Sequence, residues 1–422
     1  MSKFPVGEIR PSQLLWTYGP GALVDLPNLS VITMGLQSWE KNRCEPIEES
    51  RLLAAVRIIL GAQVSGLRLP PVIQEEYVDP LSAEAKIGVP VKLFPRWLRC
   101  VKCGLLAEYE SGLFEIKSDL FYPERSHITH QNCIHGRHSD AVPARFLLAC
   151  RNGHLDDFPW HWFVHQGPSD CKGTLRFFEK GASLQTENLW VKCDTCNAAR
   201  SLVHAFGAQA QQNLPACRGR HVHLDLFEQD CDESPRAVLL GATNTWFPIS
   251  ISVLAIPNLG SPLKKIVDDG WEYLHDVKSV ELLEERIKMF TRLGKLEGIE
   301  KYKIEEIWEV IQEKLTNKKK VSTIEESDIK IPEWEIFTSP SPPTNWPHFL
   351  CRKVEPPELF KNVISDVLLV ERLREVNALI GYTRVEAFEE TLSEEEQPHW
   401  APLVKGRPDW VPAIEVMVKG FF

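Results

Sequence analysis

Nine of the eleven cysteines of this chain fall between residues 100 and 231. Two pairs are spaced as knuckles, Cys100-Val101-Lys102-Cys103 and Cys193-Asp194-Thr195-Cys196. Two thiolates three positions apart on a tight turn can grip one tetrahedral ion, the device by which ribbon-like modules hold themselves together. A reducing compartment favours that use over disulfides. The downstream array, Cys193-x2-Cys196-x20-Cys217-x13-Cys231, offers four thiolates for a closed structural site. The upstream array has Cys100, Cys103 and Cys133, but Gly136 stands where a second knuckle would put its second cysteine. His135 and His138 flank that gap. The spacing to His138 leaves room for a turn, so His138 is the expected fourth ligand. These eight residues predict one or two structural Zn2+ ions, each adding folding energy on the order of 10–16 kcal/mol. A third combination, Cys150-x3-His154 with Cys171, reads more simply as a buried thiol and a histidine bonded across a turn.

The sequence of 422 residues is long enough for two or three domains. Thirty prolines and thirteen tryptophans point to many irregular connections and to large amphipathic surfaces in cores or interfaces. The expected class is α+β: an irregular mixed α/β architecture with zinc-ribbon-like insertions and a helical segment. Residues 1–95 form a mixed N-terminal region, 96–245 the cysteine-rich region, and 246–422 a strand followed by helices. Within them the pattern predicts a short strand over Leu29–Met34, a helix over Glu48–Leu60 ended by Gly61, and a buried strand over 246–258. Helical spacing recurs over Trp271–Arg292 and Ile304–Leu315, and residues 331–358 read as Pro-rich loop. Leu359–Leu379 reads as helix or strand, and residues 386–396 as an acidic loop. A formal net charge of -10 excludes binding to nucleic acid through the bulk field of the chain. Met1–Arg10 lacks an apolar stretch of the secretory kind, and no apolar run is long enough to span a membrane, so the expected location is cytoplasmic.

The groups with chemically reactive side chains have plain structural readings. Gly153-His154-Leu155-Asp156-Asp157-Phe158-Pro159-Trp160 carries a histidine and two adjacent carboxylates, as a metal-dependent nuclease or phosphohydrolase could use. Adjacent carboxylates diverge on a strand or helix, and capping of a helix start is the simpler role. His161 and His165 have the spacing of a zinc-protease helix without its glutamate, and read as partners of neighbouring tryptophans. Gly19-Pro20-Gly21 lacks the lysine of a phosphate-binding loop and reads as a turn. Lys318-Lys319-Lys320 suits a solvated helix end. No complete catalytic motif is present.

Several segments together resemble the DrmB family, subunits of the bacterial DISARM anti-phage system. They are Arg10-x-Ser12-Gln13 with Thr17-Tyr18-Gly19-Pro20-Gly21-Ala22 and Val24-Asp25, then Phe94-Pro95-Arg96-Trp97, and the Gly153–Trp160 segment. Cys193-x2-Cys196 with Arg200-Ser201-Leu202, Leu373-Arg374-Glu375-Val376 and Trp410–Val416 complete the set. The resemblance implies a non-catalytic accessory subunit that accompanies a DrmA-like helicase and engages foreign DNA through the complex. It carries over no catalytic residue. Family members usually continue beyond the motif at Trp410, whereas this chain turns to Met417-Val418-Lys419-Gly420 and ends at Phe422, so it is expected to be a truncated or split member.

Overall fold

The computed structural model describes residues 9–26, 28–72, 79, 81–82, 84, 87–119, 121–122, 125–136, 138–180, 186–207, 210–256, 266–267, 269–296, 298–319, 326–339, 348–389 and 397–419. Lys320 and residues 390–396 lie outside the described residues, as do the side chains of Lys318 and Lys319. The architecture is mixed α/β with ribbon-like knuckle insertions. Contacts gather the chain into two compact units, Met1–Ser252 with Val376–Glu415, and Val253–Glu375 with Val416–Phe422. Residues 1–95 and 96–245 both fall in the first, while 246–422 is shared between the two.

The first unit is built on an eight-stranded antiparallel sheet. Its order across is Ala199–Ser201, Leu189–Cys193, Leu175–Glu179, Leu105–Glu108, Trp97–Cys100, Ser139–Pro143, His127–His130, Phe114–Lys117. Most strands are three to five residues long. A smaller sheet places Phe146–Ala149 between Leu155–Asp157 and Arg236–Leu239. Trp97, Phe146, Phe158, Trp160, Phe163 and Phe177 build the aromatic part of the core, and short strands of this kind need such large side chains to bury enough area.

The Gly19-Pro20-Gly21 turn is tied down from distant parts of the same unit. Gly21 sits at φ 84°, and a Cβ there would stand 2.6 Å from Tyr382 Cζ, so only glycine fits. The guanidinium of Arg384 is buried and donates to Gly21 O at 2.7 Å and Gly153 O at 3.0 Å, and also to Thr245 O. The indole of Trp246 donates to Pro20 O at 3.1 Å. A buried cation satisfied by backbone carbonyls costs far less than one left unpaired. This motif is therefore a structural tie, consistent with its reading as a turn.

The expected strand over Leu29–Met34 is Ser30–Thr33, and the first long helix is Ser50–Leu60, with Gly61 at φ 109° beyond it. The buried-strand candidate is Phe247–Ala255. In the second unit, helices Trp271–Leu274, Val280–Arg292 and Ile304–Lys319 surround Leu283, Ile299, Ile307 and Ile311. A further helix, Glu326–Thr338, runs through Pro332 where the sequence suggests the start of a loop. Its Glu333 carboxylate is buried and accepts from Leu254 N at 2.7 Å. Val367–Thr383 is one long strand. Among the described residues no helix is long and apolar enough to cross a membrane.

Candidate metal centre

Among the described residues of the first unit, three clusters each bring together one histidine and three cysteines, and in each the four potential ligand atoms lie within 4.8 Å of one another. Sulfurs bound at about 2.3 Å to one tetrahedral ion stand about 3.8 Å apart. The sulfur–sulfur separations here, 3.6 to 3.8 Å, match that edge, so the residues fit such an ion.

The upstream cluster is Cys100, Cys103, His130 and Cys133. The sheet assembles it: the strand Ser139–Pro143 lies between Trp97–Cys100 and His127–His130, pairing Ala141 with both Cys100 and Ile128. Cys100 and Cys133 sulfurs are 3.8 Å apart, and Cys103 Sγ is 3.5 Å from His130 Nδ1. His138, the ligand expected from spacing, lies outside this cluster. It is exposed, at φ 56°, before the strand that begins at Ser139. His130 takes the place because it ends its strand three positions before Cys133, across a two-residue turn. The second knuckle is His130-x2-Cys133, complete one step upstream of where a Cys-x2-Cys pattern leads the eye.

The second cluster is Cys150, His154, Cys217 and Cys231. Cys150 and His154 flank the hairpin turn between Phe146–Ala149 and Leu155–Asp157, where Ala149 pairs with Leu155. Cys150 Sγ lies 3.3 Å from His154 Nδ1 and 3.6 Å from Cys217 Sγ. Cys217 and Cys231 thus belong here and do not join Cys193 and Cys196. Arg220, between them in sequence, explains why: its Nη1 donates to Asp156 at 2.7 Å and Asp157 at 2.9 Å, holding the hairpin of Arg220–His221 and Leu226–Phe227 against the strand that follows His154.

The third cluster is His165, Cys171, Cys193 and Cys196. The strand pairing of Leu175 with Cys193 brings Cys171 to within 3.6 Å of Cys193, sulfur to sulfur. His165 ends the helix Trp160–His165 and places Nε2 3.3 Å from Cys196 Sγ. A Cβ on Gly173 would stand 2.6 Å from Cys193 Sγ, so glycine permits the close approach. His165, read from sequence as a partner of neighbouring tryptophans, and Cys171, grouped there with Cys150 and His154, complete the set. The available signal was the His165-x5-Cys171 spacing ahead of a knuckle whose other cysteines were too distant. The expected one or two sites are three clusters.

Each cluster contains one thiol poised to ionise. The Ser139 hydroxyl, against burial, brings Cys133 down to about 7. Burial opposes ionisation of Cys193, but backbone N–H groups of Cys196 and Thr195 and the His165 ring bring it to about 6. Hydrogen bonds from Cys150, His154 and Gly219 N bring Cys217 to about 4. Their partners Cys100, pushed up to about 11 by burial, and Cys150, raised by its bond to Cys217, keep their protons. A bound cation would displace those protons. Two of the cluster imidazoles are also oriented from behind. His154 Nε2 meets Glu228 Oε2 at 3.0 Å, and His165 Nδ1 donates to His161 O at 2.7 Å, the usual outer support of a metal-bound imidazole.

Asp156 and Asp157 neither cap a helix nor stand free for catalysis. Both lie in the strand Leu155–Asp157, and the helix start that follows has Pro159 at its cap position. Asp157 accepts from Arg96 N at 2.8 Å and Arg96 Nε at 3.0 Å, while Asp156 accepts from Arg218 Nε at 2.7 Å. With Arg220 bridging the pair, both carboxylates are engaged by cations.

Short antiparallel strands whose turns carry Cys3His clusters able to hold a metal ion define a class of cluster-bearing mixed α/β module. A family described as a domain of unknown function, DUF8724, matches residues 10–247, and the chain belongs to that family. Over 407 residues the chain is also 24% identical to a protein of Bacillus paralicheniformis (strain ATCC 9945a / NCIMB 11709 / CD-2) described as DISARM protein DrmB. That alignment covers 94% of this chain and 67% of the relative. The resemblance to DrmB seen in the sequence motifs is thereby supported along most of the chain.

Proposed function

We propose that this chain is a non-catalytic, zinc-binding accessory subunit of a DISARM-type anti-phage complex. It works in the cytoplasm beside a DrmA-like helicase subunit and engages foreign DNA through that complex. The similarity to a DISARM protein over nearly the whole chain carries this reading. The donor sets add to it. Three cysteines and a histidine fill all four positions of a tetrahedral ion and leave none open for substrate, as in structural zinc sites. When bound, zinc would link strand ends in the sheet and hold the turns between them. A net charge of -10 favours contact with DNA shared with a more basic partner.

The alternative, hydrolysis by His154, Asp156 and Asp157, has poor geometry. His154 turns one ring nitrogen to cysteines and the other to Glu228, and arginines occupy both aspartates. Co-expression of the tagged chain with its genomic neighbours, followed by mass spectrometry of what co-purifies, tests the proposal. Recovery of a helicase subunit with zinc-loaded chain is expected. Recovery of the chain alone, or metal-dependent DNA cleavage abolished by Asp156→Asn with the fold intact, would overturn it.

A further inference from the structure

His154 faces two ways. Its Nδ1 belongs to the second cluster, but its Nε2 turns to a different set of atoms. His154 Nε2, His221 Nε2 and a Glu228 carboxylate oxygen lie within 4.8 Å of one another. The hairpin that carries Arg220 brings the last two together: Arg220–His221 pairs with Leu226–Phe227, and Glu228 N extends the pairing by donating to Gly219 O at 2.7 Å. The His154 and His221 rings stand 4.5 Å apart. Both Nε2 atoms converge on one oxygen, Glu228 Oε2, at 3.0 and 3.2 Å.

Without an ion these contacts are hydrogen bonds. The same three atoms also have the spacing of a ligand set. Nitrogen and oxygen held at about 2.1 Å by one cation stand about 3.0 Å apart at right angles and about 3.4 Å apart in a tetrahedron, and both separations fall in that range. The histidine side chains are 3% exposed and that of Glu228 is 62% exposed. An ion here would have imidazole on its inner side and water on its outer side. The Cys3His clusters, by contrast, fill all four positions with protein. Charge favours a second cation, because zinc with three thiolates carries a net charge of about -1 and Glu228 adds another. On binding, His154 would release its Nε2 proton to solvent and bridge the two ions, and His221 would move its own proton to Nδ1. That Nδ1 is buried without a hydrogen-bond partner among the described residues. The His221 ring thus lacks the acceptor that usually supports a metal-bound imidazole, so the ion is held more weakly than cluster zinc.

We propose that His154, His221 and Glu228 form a fourth, exchangeable site for a divalent transition-metal cation, sharing His154 with the second cluster. The inference goes beyond the function proposed above, but its charge argument rests on zinc in that cluster, which the same experiment checks. The full chain, loaded with zinc and desalted, is expected to hold cluster zinc alone. Titration with Co2+ should then add one ion per chain with zinc content unchanged. Its visible bands should be weak and free of the thiolate-to-cobalt charge transfer that sulfur ligands give. His221→Gln should abolish the added ion and keep the cluster zinc. If that buried variant fails to fold, Glu228→Gln, altered at an exposed carboxylate, takes its place with the same expectation. A zinc-loaded parent that adds no cobalt, cobalt that enters with sulfur ligation, or an added ion retained in both variants would overturn the fourth site alone. A parent without cluster zinc would overturn the zinc reading and, with it, the charge argument for this site.

Discussion

The two compact units order themselves by different means. In the first, short strands meet at turns that carry nine cysteines and three histidines in three clusters. Its apolar residues divide into separate groups, around Phe146 and Trp160, around Ile32 and Leu147, and around Leu98 and Ile128. In the second, Val280–Arg292 and Ile304–Lys319 bury Leu283, Ile307 and Ile311, and no potential metal cluster occurs among its described residues. Cys351 is simply a buried thiol there. Strands of three to five residues bury too little to fix their own ends, so the ends are tied at clusters. Helices of thirteen and sixteen residues make a continuous apolar face and need no such tie.

The sharpest way to break this contrast is to strip the metal. Each cluster is expected to supply folding free energy on the order of 10 kcal/mol, so a strong chelator should unfold the first unit while helices of Val253–Glu375 persist. Hydrogen exchange resolved by segment reads this directly. Loss of protection in both units at one chelator concentration would show that the second depends on the clusters after all.

Ligand replacement sharpens the assignment. With one zinc ion in each cluster, as proposed, Cys217→Ser should reduce zinc from three ions per chain to two and destabilise the first unit by several kcal/mol. Cys150→Ser and Cys231→Ser should lose that same ion and Cys193→Ser a different one. Cys44, a buried thiol whose Sγ donates to Glu40 O at 3.6 Å, should tolerate serine with all three ions retained. Metal stoichiometry on the purified variants decides. Loss of a common ion by Cys193→Ser and Cys217→Ser would restore the four-thiolate array suggested by spacing.

These pairings show what the sequence could and could not reveal. The knuckles at Cys100 and Cys193 are local, since three residues of turn determine the spacing, and both were legible. The completing ligands come from strand pairing. His130 reaches its cluster across Ser139–Pro143, and Cys171 across the pairing of Leu175 with Cys193. Such neighbours have no fixed spacing, so proximity along the chain misassigned Cys217 and Cys231 to the nearest knuckle. The helices of the second unit were legible for the opposite reason, because their period is local. Glu326–Thr338 was obscured by Pro332, whose cost as a helix breaker the buried Glu333 contact to Leu254 helps to offset.

A core truncation in the second unit provides the mirror experiment. Leu283 is fully buried in the helical core, and Leu283→Ala should cost about 2–5 kcal/mol with zinc content unchanged. Loss of zinc in this variant would contradict the separate sources of stability. Within the first unit, Glu228→Gln keeps the ligands of the second cluster but weakens the acceptor behind His154. Metal affinity at that cluster alone should fall about 10- to 100-fold, measured by competition with a chromophoric chelator. An unchanged affinity would mean that Glu228 does not orient the ring.

The smallest effect expected is on the acid limb of stability, and it tests whether polar burial in the first unit acts apart from the clusters. His223 is fully buried, with Nε2 2.8 Å from Pro402 O and its ring 3.3 Å from the Tyr382 hydroxyl. Burial, with the charges of Arg384 and His221 nearby, pushes it down to about 3. The unfolded chain takes up this proton near pH 6.5, whereas the folded chain takes it up only near 3. The stabilisation is therefore complete above pH 6.5 and is lost as acidity rises toward the folded value. The loss amounts to about 1 kcal/mol near pH 6. His223→Gln cannot titrate. It should be less stable than the parent at pH 7.5, and the gap should narrow as pH falls below 6.5. Ligand protonation weakens metal binding equally in both proteins, so the difference between their urea midpoints isolates the histidine. A constant gap from pH 7.5 to 5 would mean that this ring can accept its proton within the folded chain.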